Sequence, residues 1–271
     1  MLVEDKILPK EINNLYEDLV KGSYQILNEE EKKIIKDSLI IAYNAHEGQL
    51  RKSGELYIYH PLGVAKIVAH DIGLDCDSIA AALLHDVVED TKLTIKDINK
   101  AVGENIGKIV DGLTKISILR KNKDYSVQAE NYRRMLLTLH NDIRVILIKI
   151  ADRLHNMRTI EYLDEIKKEK IASESLYIYA PLAHRVGLFN LKNELEDLSL
   201  KTIEPKTYKS IKNKFVKSQE NQEKYIESFK KLIIENLDNK KIKYSIKSRN
   251  KSIFSINKKM QTKNISFNEV Y

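Results

Sequence analysis

Apolar residues recur at three- and four-residue intervals through most of this chain, and that spacing predicts one helix after another. Asn28, three residues ahead of Glu31, has the form of a capped start and predicts a helix to about His46. Gly48 and Gly54 bracket a loop, GQLRKSGE. His60-Pro61 opens the next helix, with Pro61 at a favourable first position, and Gly73 ends it. Asp75 or Asp77 caps a helix whose apolar run, Ile79 to Leu84, leads into LLHDVVEDT (83–91). Asp97 or a neighbour starts a short helix, and Val110 to Ile116 continues the bundle. Residues 117–126, SILRKNKDYS, break the pattern and predict a mobile loop before Val127 to Leu139 resumes the helix. Asp142 caps a strongly apolar helix, IRVILIKIADRLHNMRTI; Lys170 to Arg185 and Leu188 to Leu200 give two more. Glu204-Pro205 marks a boundary.

Beyond it the pattern changes. Residues 206–237 form a long, polar, Lys-rich helix, and 241–247, KIKYSIK, alternate polar and apolar as a strand does. Ile253 to Met260 is again helical. A lone strand makes no stable sheet. The reading is therefore an all-α bundle over 1–200, a linking helix over 201–240, and over 241–271 the truncated opening of an α/β domain.

Composition narrows the classes. The chain has 271 residues, 42% hydrophobic and 31% charged, with 9 Gly and 4 Pro, as a soluble globular protein does. No apolar run approaches the ~18 residues that span a membrane, and the first residues, MLVEDKILPK, lack a signal peptide's apolar core. The single cysteine, Cys76, makes no internal disulfide, so a cytoplasmic setting is expected. Charge is uneven: residues 201–271 hold 18 Lys or Arg against 7 Asp or Glu, while the rest of the chain is net acidic. A basic segment suits an anionic partner, although Lys-rich helices are more often solvated faces.

The chemistry gathers at LLHDVVEDT. In a continuous helix His85 and Glu89 share a face, as do Asp86 and Asp90. Carboxylates crowded at the end of an apolar helix are costly to bury without a cation; the alternative is a solvated helix end. Other ligands must come from elsewhere. Asp152 is the strongest candidate, because Asp152, Asn156 and Thr159 fall on one polar face of an otherwise apolar helix. His60 is the second. His60, His85, Asp86 and Asp152 together suit Mn, Fe, Co or Zn, and ligand type does not choose among them. Such an ion polarises a phosphoryl oxygen and acidifies water, leaving Glu89 and Asp90 to move protons or orient the attacking water. Arg51 and Lys52, and Lys149, Arg153 and Arg158, supply positive charge for a phosphate-bearing substrate. No P-loop is present, so ATPase or GTPase chemistry of that kind is not expected.

The segments RKSGELYIYHP (51–61), LLHDVVEDT (83–91), IVDGLTK (109–115), ENYRRML (130–136), KIADRLHNMRT (149–159) and YAPLAHRVGL (179–188) resemble the bifunctional alarmone synthetase/hydrolase family, the Rel or RelA/SpoT type, over roughly residues 25–265. The resemblance implies an all-helical HD-type hydrolase that removes the 3′-pyrophosphate of ppGpp or pppGpp, giving GDP or GTP plus pyrophosphate, with Mn²⁺ as the ion. It places the metal ligands on His60, His85, Asp86 and Asp152, the catalytic acids on Glu89 and Asp90, and nucleotide contacts on Arg51, Lys52, Ser53, Leu154, Asn156 and Thr159. It reads SRNKSIFSINKKM (248–260) as the first segment of a synthetase domain, with Ser248 and Asn250 where Gly and Pro are usual. The sequence ends before the synthetase's carboxylates, so synthetase activity is not expected, nor is ribosome or RNA contact or membrane association. Three rivals remain: an HD phosphohydrolase acting on ordinary nucleotides or cyclic dinucleotides, a sensor that binds alarmone without cutting it, and a nucleic-acid binder working through the basic 201–263 region.

Overall fold

A computed structural model of the protein describes residues 8–121, 142–240, 242–248 and 251–270, with the side chains of 117–121 and 219–223 excepted. The first helix, α1 (Lys10–Lys21), buries Ile12, Tyr16 and Leu19 on one face. Helix α2 (Glu29–Ala45) starts at Asn28 through a reciprocal capping box: Asn28 Oδ1 accepts from the Glu31 amide at 2.9 Å, and the Asn28 amide donates to Glu31 at 2.8 Å. The loop that follows folds back on itself. The Arg51 amide donates to Glu55 O at 2.8 Å and the Tyr57 amide to Gln49 O at 3.0 Å, closed by Gly48 and Gly54 at φ 75° and 86°.

Helix α3 (Tyr59–Lys66) begins two residues before the predicted Pro61, which sits third in the helix, where a missing N–H costs no hydrogen bond. It widens into a π-helical stretch, Ile67–Ile72, and stops at Gly73. Asp75, not Asp77, caps α4 (Cys76–Leu84) by accepting from the Ser78 amide at 3.0 Å. Every residue of α4 except Asp77 is buried. This helix is the axis of the bundle: α2, α3 and α7 (Glu104–Lys121) pack around it, with α5 (Val87–Asp90) and α6 (Ile95–Val102) between. Helix α8 (Ile143–Arg158), capped by Asp142, crosses α3 and α7. At its contact with α7 a side chain on Gly112 would meet Val145 Cγ2 at 2.8 Å, so the glycine sets how closely the two helices approach.

The C-terminal side is also helical: α9 (Glu165–Glu174), a π-helical stretch Ser175–Tyr179, α10 (Ala180–Arg185), α11 (Phe189–Ile203), α12 (Pro205–Asn239) and α13 (Ile253–Lys263). A second small core of Leu200, Ile211, Ile253, Ile256, Phe267 and Val270 joins α11, α12 and α13. Asp197 ties α13 to α11 by accepting from the Phe254 and Ile253 amides at 2.8 and 3.3 Å.

The structure corrects four expectations. Helix α7 runs through Lys121, so 117–121 are helical rather than loop; 122–126 and the helix expected over 127–139 lie outside the described residues. The helix expected from Lys170 starts at Glu165. Residues 242–248 form no strand, and among the described residues the isolated bridge Leu50–Leu56 is the one β-type pairing. The continuous helix expected through 83–91 is broken: α4 stops at Leu84, and Asp86 (φ −103°, ψ −6°) starts a separate turn, α5. No described helix is long and apolar enough to cross a membrane.

Candidate metal centre

The break at His85-Asp86 changes where the two side chains aim. Adjacent side chains on a helix point about 100° apart, so a regular helix cannot aim both at one point. With the helix interrupted, the His85 Nε2 and Asp86 Oδ2 atoms come within 3.0 Å. From α3, His60 Nε2 lies 3.7 Å from the same Asp86 oxygen. From α8, Asp152 Oδ1 lies 3.3 Å from His60 Nε2 and 3.8 Å from His85 Nε2. One ligand atom each from His60, His85 and Asp152 falls within 4.8 Å of the others, the spread a shared ion requires. Three segments distant in sequence thus converge on one point, with both imidazoles buried.

The donor set fits a divalent cation. The ring Nδ1 of His85 donates to Ala82 O at 2.8 Å, so Nε2 is the nitrogen left to offer a lone pair to an ion when it gives up its proton. That Nε2 is buried and has no hydrogen-bond partner, although two carboxylate oxygens face it. Electrostatics agree. Burial works against a charged ring, but Asp86 and Asp152 outweigh it and push His85 up to about 9. Burial likewise opposes charge on Asp152, yet Lys149, His60 and His85 hold its carboxyl well below the usual range. Asp86 is held down by His85 in the same way. Burial dominates at His60 and lowers it, as suits a neutral ligand. The carboxylates therefore stay ionised and call for positive charge that an ion supplies and a proton on His85 otherwise imitates.

Around this core lie groups that sequence reasoning passed over. Tyr57 OH donates to Asp86 Oδ2 at 2.5 Å and reaches Asp90 Oδ2 at 3.4 Å; burial and Asp86 raise its phenol well above the usual range, so it keeps its proton. His155 Nδ1 lies 2.9 Å from His60 Nδ1, and burial and His60 push its ring down to about 3. The available signal was spacing: Tyr57 stands three residues before His60, and His155 three after Asp152.

A model of the HD domain family matches residues 38–189. The chain belongs to the HD-domain family. It is 42% identical over 241 residues to a protein of Myxococcus xanthus named GTP pyrophosphokinase, covering 88% of this chain and 32% of that protein. It is 40% identical over 256 residues to a guanosine-3′,5′-bis(diphosphate) 3′-pyrophosphohydrolase of Vibrio cholerae, covering 94% of this chain and 36% of that one. Identity is also 40% over 256 residues to the bifunctional (p)ppGpp synthase/hydrolase SpoT of Escherichia coli, with the same coverage, 94% and 36%. The chain thus spans about a third of the length of these relatives.

The remaining candidates sort themselves around the HD centre. Asn156 donates to Asp152 Oδ1 at 2.7 Å and accepts from Arg51 at 3.1 Å, so a residue of the folded-back loop reaches the ligand helix. Thr159, at the end of α8, donates to His155 O at 3.1 Å. Lys52 is exposed, 3.8 Å from Asp164, and Ser53 donates to Glu55 at 3.0 Å on the same loop. Leu154 is fully buried in the core. Glu89 is half-buried and Asp90 exposed on α5, their amides both donating to Asp86 O, at 3.1 and 2.9 Å. Three expected substrate cations are engaged elsewhere. Lys149 is buried, its Nζ 3.4 Å from Asp152 Oδ2. Arg153 is buried, pairing with Glu174 at 2.9 Å and stacking over the Tyr179 ring. Arg158 grips Glu194 through two hydrogen bonds of 2.6 and 2.8 Å.

Proposed function

We propose that this HD protein hydrolyses the 3′-pyrophosphate ester of ppGpp and pppGpp, giving GDP or GTP plus pyrophosphate, with Mn²⁺ held by His60, His85, Asp86 and Asp152. The carrying observation is the convergence of His60, His85 and Asp152 from three segments on one point, with Asp86 Oδ2 3.0 Å from the buried His85 Nε2. The names of the Vibrio and Escherichia relatives support the substrate. When bound, the ion polarises the phosphoryl oxygen and makes water more acidic.

The chain's own groups do the rest. Glu89 and Asp90, on the turn after the ligand pair, take the proton of the attacking water and return one to the leaving ribose oxygen. A new P–O bond forms at the phosphorus nearest the ribose, the P–O3′ bond breaks, and the 5′-phosphates stay untouched. Tyr57 holds Asp86 in place and keeps its proton throughout. Arg51 and Lys52, on the loop beside the centre, meet the substrate's negative charge, with Ser53, Asn156, Thr159 and the backbone around Leu154 shaping the nucleoside wall. Lys149 serves Asp152 rather than the substrate. Residues 241–271 are read as the edge of a synthetase region on the strength of the motif at 248–260 alone, and a cytoplasmic setting goes with this reading.

Incubation with ppGpp, with and without Mn²⁺, tests it. Pyrophosphate and GDP in equal amounts, only with the ion, is the expected result. Single phosphates from ordinary nucleotides would instead favour a general HD phosphohydrolase. Tight ppGpp binding without turnover would make the domain a sensor.

A further inference from the structure

Resting on the metal reading above, we propose that His155 is a positioning residue for His60: it accepts the His60 Nδ1 proton and so commits the Nε2 lone pair of His60 to the shared ion.

The geometry allows two proton placements, and a shared ion selects between them. The two Nδ1 atoms stand 2.9 Å apart, a distance at which one of the pair carries a proton and the other a lone pair. If the proton belonged to His155, His60 would carry its own on Nε2. That N–H would point at Asp152 Oδ1, 3.3 Å away, making a histidine–aspartate hydrogen bond with no lone pair left for a metal. If it belongs to His60, Nε2 is bare and faces the point where His85 and Asp152 also aim. The partner on the far nitrogen of a ligand imidazole generally fixes its tautomer and orientation. His85 solves the problem with a backbone carbonyl, Ala82 O at 2.8 Å. At His60 no backbone oxygen among the described residues takes that role; a second imidazole does.

The sequence makes room for it. His155 projects from α8 against α3 at Gly63, where any side chain would collide with the His155 ring. Gly63 is helical with an ordinary backbone, so its missing side chain, not its conformational freedom, is what the site uses. His155 lies three residues after Asp152 and directly before Asn156, so the ligand, its support and the Arg51-linked amide are carried on one helix. None of this requires His155 to touch substrate.

The test compares Mn²⁺ affinity, read by electron paramagnetic resonance of the unbound ion, for wild type, His155→Ala, His155→Asn and Gly63→Ala, each checked for folding by circular dichroism. Asn keeps an acceptor close to the imidazole Nδ1 position; Ala does not. Outer partners of metal-bound histidines contribute about 10- to 100-fold in affinity, so His155→Ala should lose about that much and His155→Asn no more than about threefold. Gly63→Ala, which displaces the ring while leaving His155 in the sequence, should weaken binding as His155→Ala does. Nitrogen-15 NMR of the Zn²⁺-loaded wild type should show His60 protonated on Nδ1. Wild-type affinity in a folded His155→Ala protein would overturn the inference, as would His155→Asn falling as far as the alanine variant, or a His60 proton on Nε2 in the loaded protein. A wild type that binds no Mn²⁺ would sink the metal reading itself, a result distinct from any of these.

Discussion

Asp86 sits where three demands meet. Its carboxylate lies against His85 and His60, accepts the Tyr57 hydroxyl, and its backbone carbonyl caps the turn bearing Glu89 and Asp90. Losing even an outer partner of a metal site costs about 10- to 100-fold. Asp86→Ala should therefore reduce ppGpp turnover at least about a hundredfold, measured as pyrophosphate released at saturating Mn²⁺; near-normal turnover would remove Asp86 from the ligand set. That His60, His85, Asp86 and Asp152 lie close together was legible in the sequence, because imidazoles and carboxylates recur inside otherwise apolar helices. Tyr57 and His155 were not, since a lone tyrosine or histidine at helical spacing is ordinary core material until its partner is known. The partners of Arg153 and Arg158 were hidden for the converse reason: Glu174 and Glu194, which engage them, are distant in sequence. Cys76 offers a second check at this scale. Burial, reinforced by Asp77, pushes its thiol up to about 12. At pH 8 it stays a thiol, so iodoacetamide should label it far more slowly in the native protein than in urea; equal rates would contradict its burial.

At the scale of elements, the caps carry the most local information. The Asn28–Glu31 box was readable because both partners lie within one turn. Asn28→Ala should cost about 1 kcal/mol by urea denaturation; an unchanged midpoint would mean the box contributes nothing. The broken helix at His85-Asp86 was not readable, since local periodicity favours continuity. The strand expected at 241–247 failed for lack of a partner: alternation marks a segment able to pair, and no described strand lies beside it. What orders the segment after it is Asp197 on α11, which accepts from the first two amides of α13. Asp197→Ala should speed hydrogen exchange across Ile253–Lys263 and leave exchange in α4 unchanged. Equal protection of α13 in both proteins would show that the second core alone holds it.

At the scale of the molecule, one large core carries the HD centre and a smaller one, sharing α11, carries the basic C-terminal segment. The all-helical architecture was open to periodicity alone; the meeting of α3, α4 and α8 was not, because it depends on close approaches such as Gly63 of α3 on His155 of α8. A cation bridging those helices binds the folded chain and not the unfolded one. Mn²⁺ at a hundred times its dissociation constant should add roughly 2.7 kcal/mol of stability, visible as a raised melting temperature that EDTA reverses. No shift at any Mn²⁺ concentration would mean the centre does not hold the ion in the folded state. The most direct measurement is an anomalous difference map from a crystal soaked in Mn²⁺. The account predicts a single strong peak coordinated by His60 Nε2, His85 Nε2 and the carboxylates of Asp86 and Asp152. A peak elsewhere, or one that leaves out His60 or Asp152, would contradict it.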